Sequence, residues 1–251
     1  MSFSIAVAGK GGTGKTSIAS LIIRYLKKKG AEPVLAVDAD PNANLGDSLG
    51  LGTKKTIGSI IGLFHEEKIN IPAGMTKEAY LKYKFNEAIV ESKGLDLVSM
   101  GRGEGLECYC YPNLILREFI NTLAENYAYI VMDCEAGMEH LSRKTTQDID
   151  ELFIISDHSI KGIRTVAQIR NLVSELKLMV KRQSAIINFV PTKLDPVITE
   201  ELARLGIEPV ATIPLDEQVH DYDLKLKPLL DLPDTSKAVT AVDKLMAKIF
   251  C

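Results

Sequence analysis

Short apolar runs alternate along this chain with longer segments in which apolar residues recur at helical spacing. The runs are rich in Val, Ile and Ala, and their apolar character is nearly continuous rather than alternating. Continuous apolar runs are typical of strands that are covered on both faces, as in parallel sheets. The pattern therefore predicts buried strands at 3–8, 33–40, 95–100, 128–134, 151–157, 184–190 and 209–214.

The segments between these runs have the period of amphipathic helices. After Lys15, apolar side chains recur every three or four residues, and a basic run followed by Gly30 is typical of a helix end. Segments 113–126 and 163–178 repeat this pattern. Strands that alternate with helices imply right-handed crossovers, and so predict an α/β fold with a doubly wound, mostly parallel sheet and helices on both faces.

The chain shows no linker, low-complexity segment or internal repeat that would divide it. Its 251 residues suit one α/β domain with a full core, so we expect a single domain over 1–251. Residues 52–94 give no clean strand pattern and are expected to form a helical excursion from the sheet.

Composition narrows the class of partner. Apolar residues make up 46% of the chain and charged residues 25%, and no apolar run reaches 18 residues, so no membrane-spanning helix is expected. The N-terminus lacks the basic region and cleavage pattern of a signal peptide, which predicts a cytoplasmic protein. A net charge of −3 argues against nucleic acid as the main partner.

A phosphate-binding loop follows the first predicted strand. GKGGTGKT at 9–16 fits G-x-x-x-x-G-K-[ST], and it lies between a strand and a helix as that motif requires. Backbone N–H groups of such a loop surround phosphate oxygens, Lys15 reaches the β- and γ-phosphates, and the Thr16 hydroxyl binds Mg²⁺. The alternative is a glycine-rich turn used only for packing, but such a turn does not require a strand before it and a helix after it. The predicted nucleotide-binding residues are Gly9, Gly11, Gly12, Thr13, Gly14, Lys15, Thr16 and Ser17.

Carboxylates end two of the predicted strands. Asp38 and Asp40 close the second strand, and Asp133 closes the strand at 128–134. In doubly wound folds ligands bind at the carboxyl ends of strands, and Asp133 matches the position that holds Mg²⁺ through a water in P-loop enzymes. The structural alternative is a carboxylate that caps the following helix.

The loop also contains a second lysine, Lys10, which has no room beside Lys15 on one phosphate and could reach a nucleotide on another subunit. In KGGTGKT, and in a D-x-x-A-G-x-E pattern from Asp133 to Glu139, the sequence resembles the deviant Walker A ATPases, the class of nitrogenase iron protein, MinD and ParA. The resemblance implies ATP hydrolysis in a sandwich homodimer, with Lys10 acting across the interface. A solvated loop lysine is the alternative.

The same resemblance assigns further roles. It implies that Asp40, which precedes a proline, orients the attacking water, and it leaves Asp38 nearer the magnesium shell. It also implies that Asn188 contacts adenine and that the segment 213–219, with Pro214, lines the other side of the purine. A buried strand-end Asn could instead satisfy a loop carbonyl.

Two cysteines, Cys108 and Cys110, are separated by one residue in a chain with only four. In an extended segment such residues point to one side, so the two thiols could bind one ion together. Zn²⁺ takes four tetrahedral ligands and Ni²⁺ often four planar ones, so a two-fold dimer would complete the set. The alternatives are a pair of buried apolar side chains or a strained redox pair.

With this pair, the sequence is similar to the CooC/AcsF group of ATPases. The resemblance implies an ATP- and Mg²⁺-dependent homodimer that carries Ni²⁺, with Zn²⁺ an alternative in the same site, and delivers it to a client nickel enzyme, carbon monoxide dehydrogenase or acetyl-CoA synthase. A MinD/ParA-like positioning ATPase and an iron–sulfur carrier or reductase are the alternatives. The apolar face of the segment 236–251 is predicted to pack on the sheet rather than bind a membrane.

Overall fold

The computed structural model of the protein describes residues 2–52, 55–66, 71–102, 110–135 and 148–250. Within them, each predicted strand is confirmed, with bounds that differ by at most two residues at either end. The strands are β1 Phe3–Gly9, β2 Val34–Asp38, β3 Leu95–Ser99, β4 Tyr129–Asp133, β5 Glu151–Ser156, β6 Gln183–Val190 and β7 Pro209–Pro214.

The seven strands form one parallel sheet in the order β3-β2-β4-β1-β5-β6-β7. The chain leaves central β1 for β2 on one side, and later reaches β5 on the other. Because every strand runs in the same direction, their carboxyl ends share one edge of the sheet. The register places Asp38 of β2 beside Asp133 of β4. Asp133 also pairs with Val7 of β1, which lies two residues before the end of that strand, where the phosphate loop begins.

Helices cover both faces of the sheet, as predicted. They are α1 Lys15–Lys28, α2 Leu45–Leu49, α3 Ile57–Glu66, α4 Lys77–Glu87, α5 Cys110–Ala124, α6 Ile160–Glu175, α7 Pro196–Arg204, α8 Glu217–Leu224 and α9 Lys237–Ile249, with a 3₁₀ turn at Leu229–Asp231. Alternate residues of β1 divide between two cores: Ile5 and Val7 pack with α1 and α9, whereas Ala6 and Ala8 face the side covered by α3 to α7.

The predicted excursion between β2 and β3 contains α3 and α4. Leu81 and Phe85 of α4 are fully buried, and the rings of Phe85 and Phe119 of α5 lie 5.6 Å apart. The excursion is therefore packed onto the sheet domain through α5.

The C-terminal segment packs as predicted. Its helix α9 buries Val239, Val242, Leu245 and Met246, each at most 3% exposed, against β7 and α1. Among the residues that the structure describes, no helix combines the length and the apolar character needed to cross a bilayer.

Candidate nucleotide and magnesium site

The phosphate loop joins β1 to α1 at the carboxyl edge of the sheet. Gly14 precedes α1 with φ 83°, the left-handed conformation that glycine adopts without strain. A Cβ here would lie 2.4 Å from Asn188 Nδ2 and 2.8 Å from the Phe189 ring. The carbonyl of Lys10 accepts a 2.8 Å hydrogen bond from Thr13 Oγ1, and Lys15 Nζ lies 3.5 Å from it. Strand β6 thus packs directly against the loop.

The interior of the loop can hold a polyphosphate. Cβ atoms built on Gly11 and Gly12 would meet nothing within 4 Å among the described residues, which leaves a cradle beside the backbone. Lys15 is 7% exposed, so its ammonium is held close to that cradle. The first turn of α1 carries no acidic residue, and its N-terminus favours an anion. Lys10, in contrast, is exposed.

A hydroxyl and a carboxylate meet beneath the loop. Thr16 Oγ1 donates a 2.5 Å hydrogen bond to Asp133 Oδ2. The other oxygen of this carboxylate, Oδ1, is buried and has no hydrogen-bond partner among the described residues. An unpartnered buried carboxylate oxygen is costly unless a cation or water satisfies it. The pair therefore fits the ligands expected for Mg²⁺.

Burial dominates the protonation of the two strand-end carboxylates. It raises the pKa of Asp133 to about 6, although the Thr16 hydrogen bond and the Lys15 ammonium oppose the rise. Burial likewise raises the pKa of Asp38 to about 7, against the hydrogen bond from Leu45 N–H and with repulsion from Asp133. A divalent cation would remove this penalty by favouring the charged forms.

The other two predicted carboxylates lie at the end of β2 and in the loop that follows it. Asp38 is fully buried, and its Oδ2 and Oδ1 accept hydrogen bonds from Leu45 N at 2.8 Å and Asp40 N at 3.2 Å. Asp40 is partly exposed, and its Oδ1 accepts from Asn42 N at 2.9 Å. Asp38 is thus directed at backbone groups of its own loop, whereas Asp40 is accessible at the loop surface.

A pocket beside the loop holds the two predicted base-contacting residues. Asn188 and Pro214 both line it. Asn188 Nδ2 also donates a 2.9 Å hydrogen bond to Thr13 O, so this amide braces the loop as well as facing the pocket. Further lining residues include Ile18, Leu21, Ile213, Asp216, Val219, His220 and Asp223.

The predicted segment 213–219 includes the start of α8 and Val219 of the pocket, but sequence reasoning missed His220 and Asp223 further along this helix. His220 and Asp223 lie four and seven residues after Asp216, and this helical spacing places them on one face. This helical spacing is present in the sequence, but no chemical motif accompanies it. The sequence alone therefore could not distinguish a helix that lines a pocket from a helix that faces solvent.

Only one cysteine of the pair, Cys110, lies among the described residues. Cys108 lies outside the described residues, as do Ala136, Gly137 and Glu139 of the resemblance pattern. Cys110 is the first residue of α5, so the prediction of an extended backbone was wrong at this position. Pro112 is compatible with a helical first turn, where its missing N–H costs no hydrogen bond. Among the described residues no three His, Cys, Asp or Glu side chains form a metal-binding group.

A sequence profile of the AAA_31 family, described as an AAA domain, matches residues 3–186. The chain belongs to this family, and it is an ATP-binding ATPase.

The chain is 41% identical to an uncharacterized ATP-binding protein of Methanocaldococcus jannaschii, over 98% of its own length and 97% of that relative. It is 30% identical to the carbon monoxide dehydrogenase accessory protein CooC of Rhodospirillum rubrum, over 68% of this chain and 69% of that one. The septum site-determining protein MinD of Pyrococcus horikoshii, solved with Mg-ADP, has the same fold. Its TM-score is 0.68 at 20% identity, covering 99% of this chain and 96% of that one.

Proposed function

We propose that the protein is an ATP-hydrolysing metallochaperone that dimerises with nucleotide and assists nickel insertion into carbon monoxide dehydrogenase or acetyl-CoA synthase. The observation that carries the proposal is the combination of two features of the sequence. The chain is 30% identical to a carbon monoxide dehydrogenase accessory protein, and it contains Cys108 and Cys110 in a C-x-C pair.

Within this proposal each residue of the site has one role. Lys15 neutralises charge on the β- and γ-phosphates, while Thr16 and Asp133 hold the magnesium shell. Asp40, accessible at the loop surface, orients the water that attacks the γ-phosphate. Bound Mg²⁺ would supply charge neutralisation and would satisfy the bare Oδ1 of Asp133.

Lys10 acts on the partner copy in this proposal. Its backbone carbonyl turns into the loop, where Thr13 donates to it, and its side chain is exposed at the nucleotide edge. An exposed cation beside a phosphate cradle is suited to reach phosphates held by a second chain. Lys10→Ala should therefore suppress ATP-dependent dimerisation measured by sedimentation, with exposed Lys77→Ala on α4 as the control. Undiminished dimerisation would reject the trans role.

Nickel is the cargo, and two cysteines from each chain would bind it at the two-fold axis. Hydrolysis would alter the dimer, and with it either the metal site or its docking on the client. Two thiolates per chain are too few for a four-coordinate ion, so the proposal requires the dimer that Lys10 also requires.

Anaerobic nickel titration of the purified protein, with and without ATP, tests the proposal when followed by sedimentation. We expect one Ni²⁺ per dimer, and we expect Cys108→Ala/Cys110→Ala to abolish this binding while ATP affinity is unchanged. Cys251→Ala is the matched thiol control. Stoichiometric nickel binding by the double variant would remove the metal role and leave an ATPase with another purpose.

A further inference from the structure

We propose that Asp38 is a positioning residue for ATP hydrolysis, acting through the loop that carries Asp40. Its carboxylate fixes the backbone on both sides of this loop and so sets where Asp40 lies. The inference rests on the proposed role of Asp40 in orienting water. It replaces the expectation that Asp38 belongs to the magnesium shell.

The contacts of Asp38 divide evenly over its two oxygens. Oδ1 accepts from Asp40 N at 3.2 Å, and Oδ2 accepts from Leu45 N at 2.8 Å, where α2 begins. The Asp38 side chain thereby connects the beginning of the loop, at Asp40, to its end, at Leu45. The Leu45 bond is wholly buried, and Asp38 is 0% exposed, so water does not compete for either oxygen.

The backbone around Asp38 is fixed independently of its side chain. Its carbonyl accepts from Met100 N at 2.8 Å, and Ala39 N donates to the carbonyl of Asp133 at 2.8 Å. The carboxylate therefore extends from a rigid strand end. Within the loop, Asp40 O accepts from Ala43 N at 3.0 Å, and Asp40 Oδ1 accepts from Asn42 N at 2.9 Å and Asn42 Nδ2 at 3.0 Å. These contacts link neighbouring residues only, and Ala43 has φ 52°, which is rare for a residue with a side chain.

A carboxylate suits this task better than any other short side chain. Two separate N–H donors point at two separate oxygens, and an ionised Asp accepts at both. Asn has the same shape, but its amide nitrogen would face one of the two N–H groups. Asp38→Asn therefore removes one of the two anchors with little change in volume, and the loop should remain folded but lose its fixed geometry.

Steady-state kinetics of Asp38→Asn separates positioning from metal binding. We expect kcat to fall roughly tenfold to a hundredfold, the effect of losing a hydrogen bond to a charged group. KM for ATP and the Mg²⁺ concentration for half-maximal activity should be unchanged. A rise in the Mg²⁺ requirement with kcat retained at saturating Mg²⁺ would place Asp38 in the metal shell and overturn the proposal. Exposed Asp231→Asn is the matched control.

A double-mutant cycle tests whether Asp38 acts through Asp40. Single-turnover hydrolysis is measured for Asp38→Asn, Asp40→Ala and the double variant. If Asp38 acts only through Asp40, the double variant hydrolyses ATP no more slowly than Asp40→Ala alone. Multiplicative losses would show that Asp38 acts independently. Full activity of Asp40→Ala would instead overturn the proposed role of Asp40, a failure that this cycle distinguishes from the first.

Hydrogen exchange of the nucleotide-free protein at pH 8, where Asp38 is ionised, gives a readout apart from activity. Asp38→Asn should accelerate amide exchange in residues 39–45 and leave the strands β2 and β4 protected. Acceleration across the whole sheet would indicate general destabilisation and overturn the assignment, as would unchanged exchange in 39–45.

Discussion

Thr16 Oγ1 and Asp133 Oδ2 lie 2.5 Å apart, joining the first turn of α1 to the carboxyl end of β4. The hydrogen bond leaves the second oxygen of Asp133 buried and unpartnered among the described residues. The protein thus contains a carboxylate whose surroundings are unfavourable to charge and which a cation would satisfy.

This arrangement predicts that Asp133→Asn raises the Mg²⁺ requirement of ATP hydrolysis and also raises the stability of the protein. The variant should need at least about tenfold more Mg²⁺ for half-maximal hydrolysis, because a charged ligand position is lost. At pH 8 its nucleotide-free form should be more stable than the parent, because the buried charge is gone. Urea unfolding and a Mg²⁺ titration measure the two effects. A parent-like Mg²⁺ requirement would exclude Asp133 from the metal site.

The raised pKa of Asp38 predicts a pH dependence of stability with a definite sign. Its pKa is about 7 in the folded protein against 3.8 for an unperturbed Asp, so the folded state binds more protons between these values. The contribution of Asp38 is complete below pH 3.8 and is lost as pH rises to about 7.

The measurement is the difference in unfolding free energy between Asp38→Asn and the parent, without nucleotide, at pH 5 and pH 7. Other titrating groups largely cancel in this difference. It should shift in favour of the variant as pH rises, by at most roughly 1.4 kcal/mol per pH unit. A difference that is flat, or that shifts in favour of the parent, would contradict the raised pKa.

Two glycines of the phosphate loop should respond differently to alanine. At Gly14 a Cβ would approach Asn188 Nδ2 to 2.4 Å, and φ is 83°. We expect Gly14→Ala to destabilise the nucleotide-free protein by about 1–3 kcal/mol. Gly11→Ala meets no described atom within 4 Å and should change stability by less than about 0.5 kcal/mol. Thermal unfolding of both variants tests this, and equal effects would contradict the observed packing.

The sequence predicted what depends on local pattern. Continuous apolar runs located the seven strands found in the described part of the chain, and the motif after β1 located the loop and its flanking helix. The three carboxylates were placed on the correct sheet edge because parallel strands share their direction. The direction of each side chain could not be predicted from the sequence pattern. Asp38 accepts a hydrogen bond from Leu45 N, seven residues along the chain, and this contact depends on a loop conformation that hydrophobic periodicity does not specify.

The backbone conformation at Cys110 is a second feature that the sequence pattern did not predict. Spacing alone suggested an extended pair, but α5 begins there, three residues before the helix predicted from apolar periodicity. First-turn residues of a helix carry little of the amphipathic signal, because capping rather than packing defines them. Metal binding by Cys108 and Cys110 therefore stays a prediction.

Asp216 caps one helix and contacts the start of another, and it should contribute more to stability than an ordinary cap. Its Oδ1 accepts from Gln218 N at 2.9 Å in α8, while Oδ2 accepts from Ser236 Oγ at 2.6 Å and Ala238 N at 3.0 Å in α9. Burial raises its pKa, but these hydrogen bonds outweigh burial and lower it, so its contribution is present above pH 3.8 and is lost as pH falls below that value.

We therefore expect Asp216→Ala to cost about 2–4 kcal/mol at pH 7, since it leaves the buried donors at the start of α9 unsatisfied and removes the cap of α8. Asp195 is the matched control: it caps α7 alone, through Val197 N at 2.8 Å, in an exposed setting, and its alanine variant should cost about 1 kcal/mol. Urea unfolding of both variants measures the difference. Because Asp216 also lines the pocket in which the adenine base is predicted to bind, Asp216→Ala should weaken ATP binding as well, whereas Asp195→Ala should not. Equal costs in the two variants would show that the contact with α9 adds nothing to the cap.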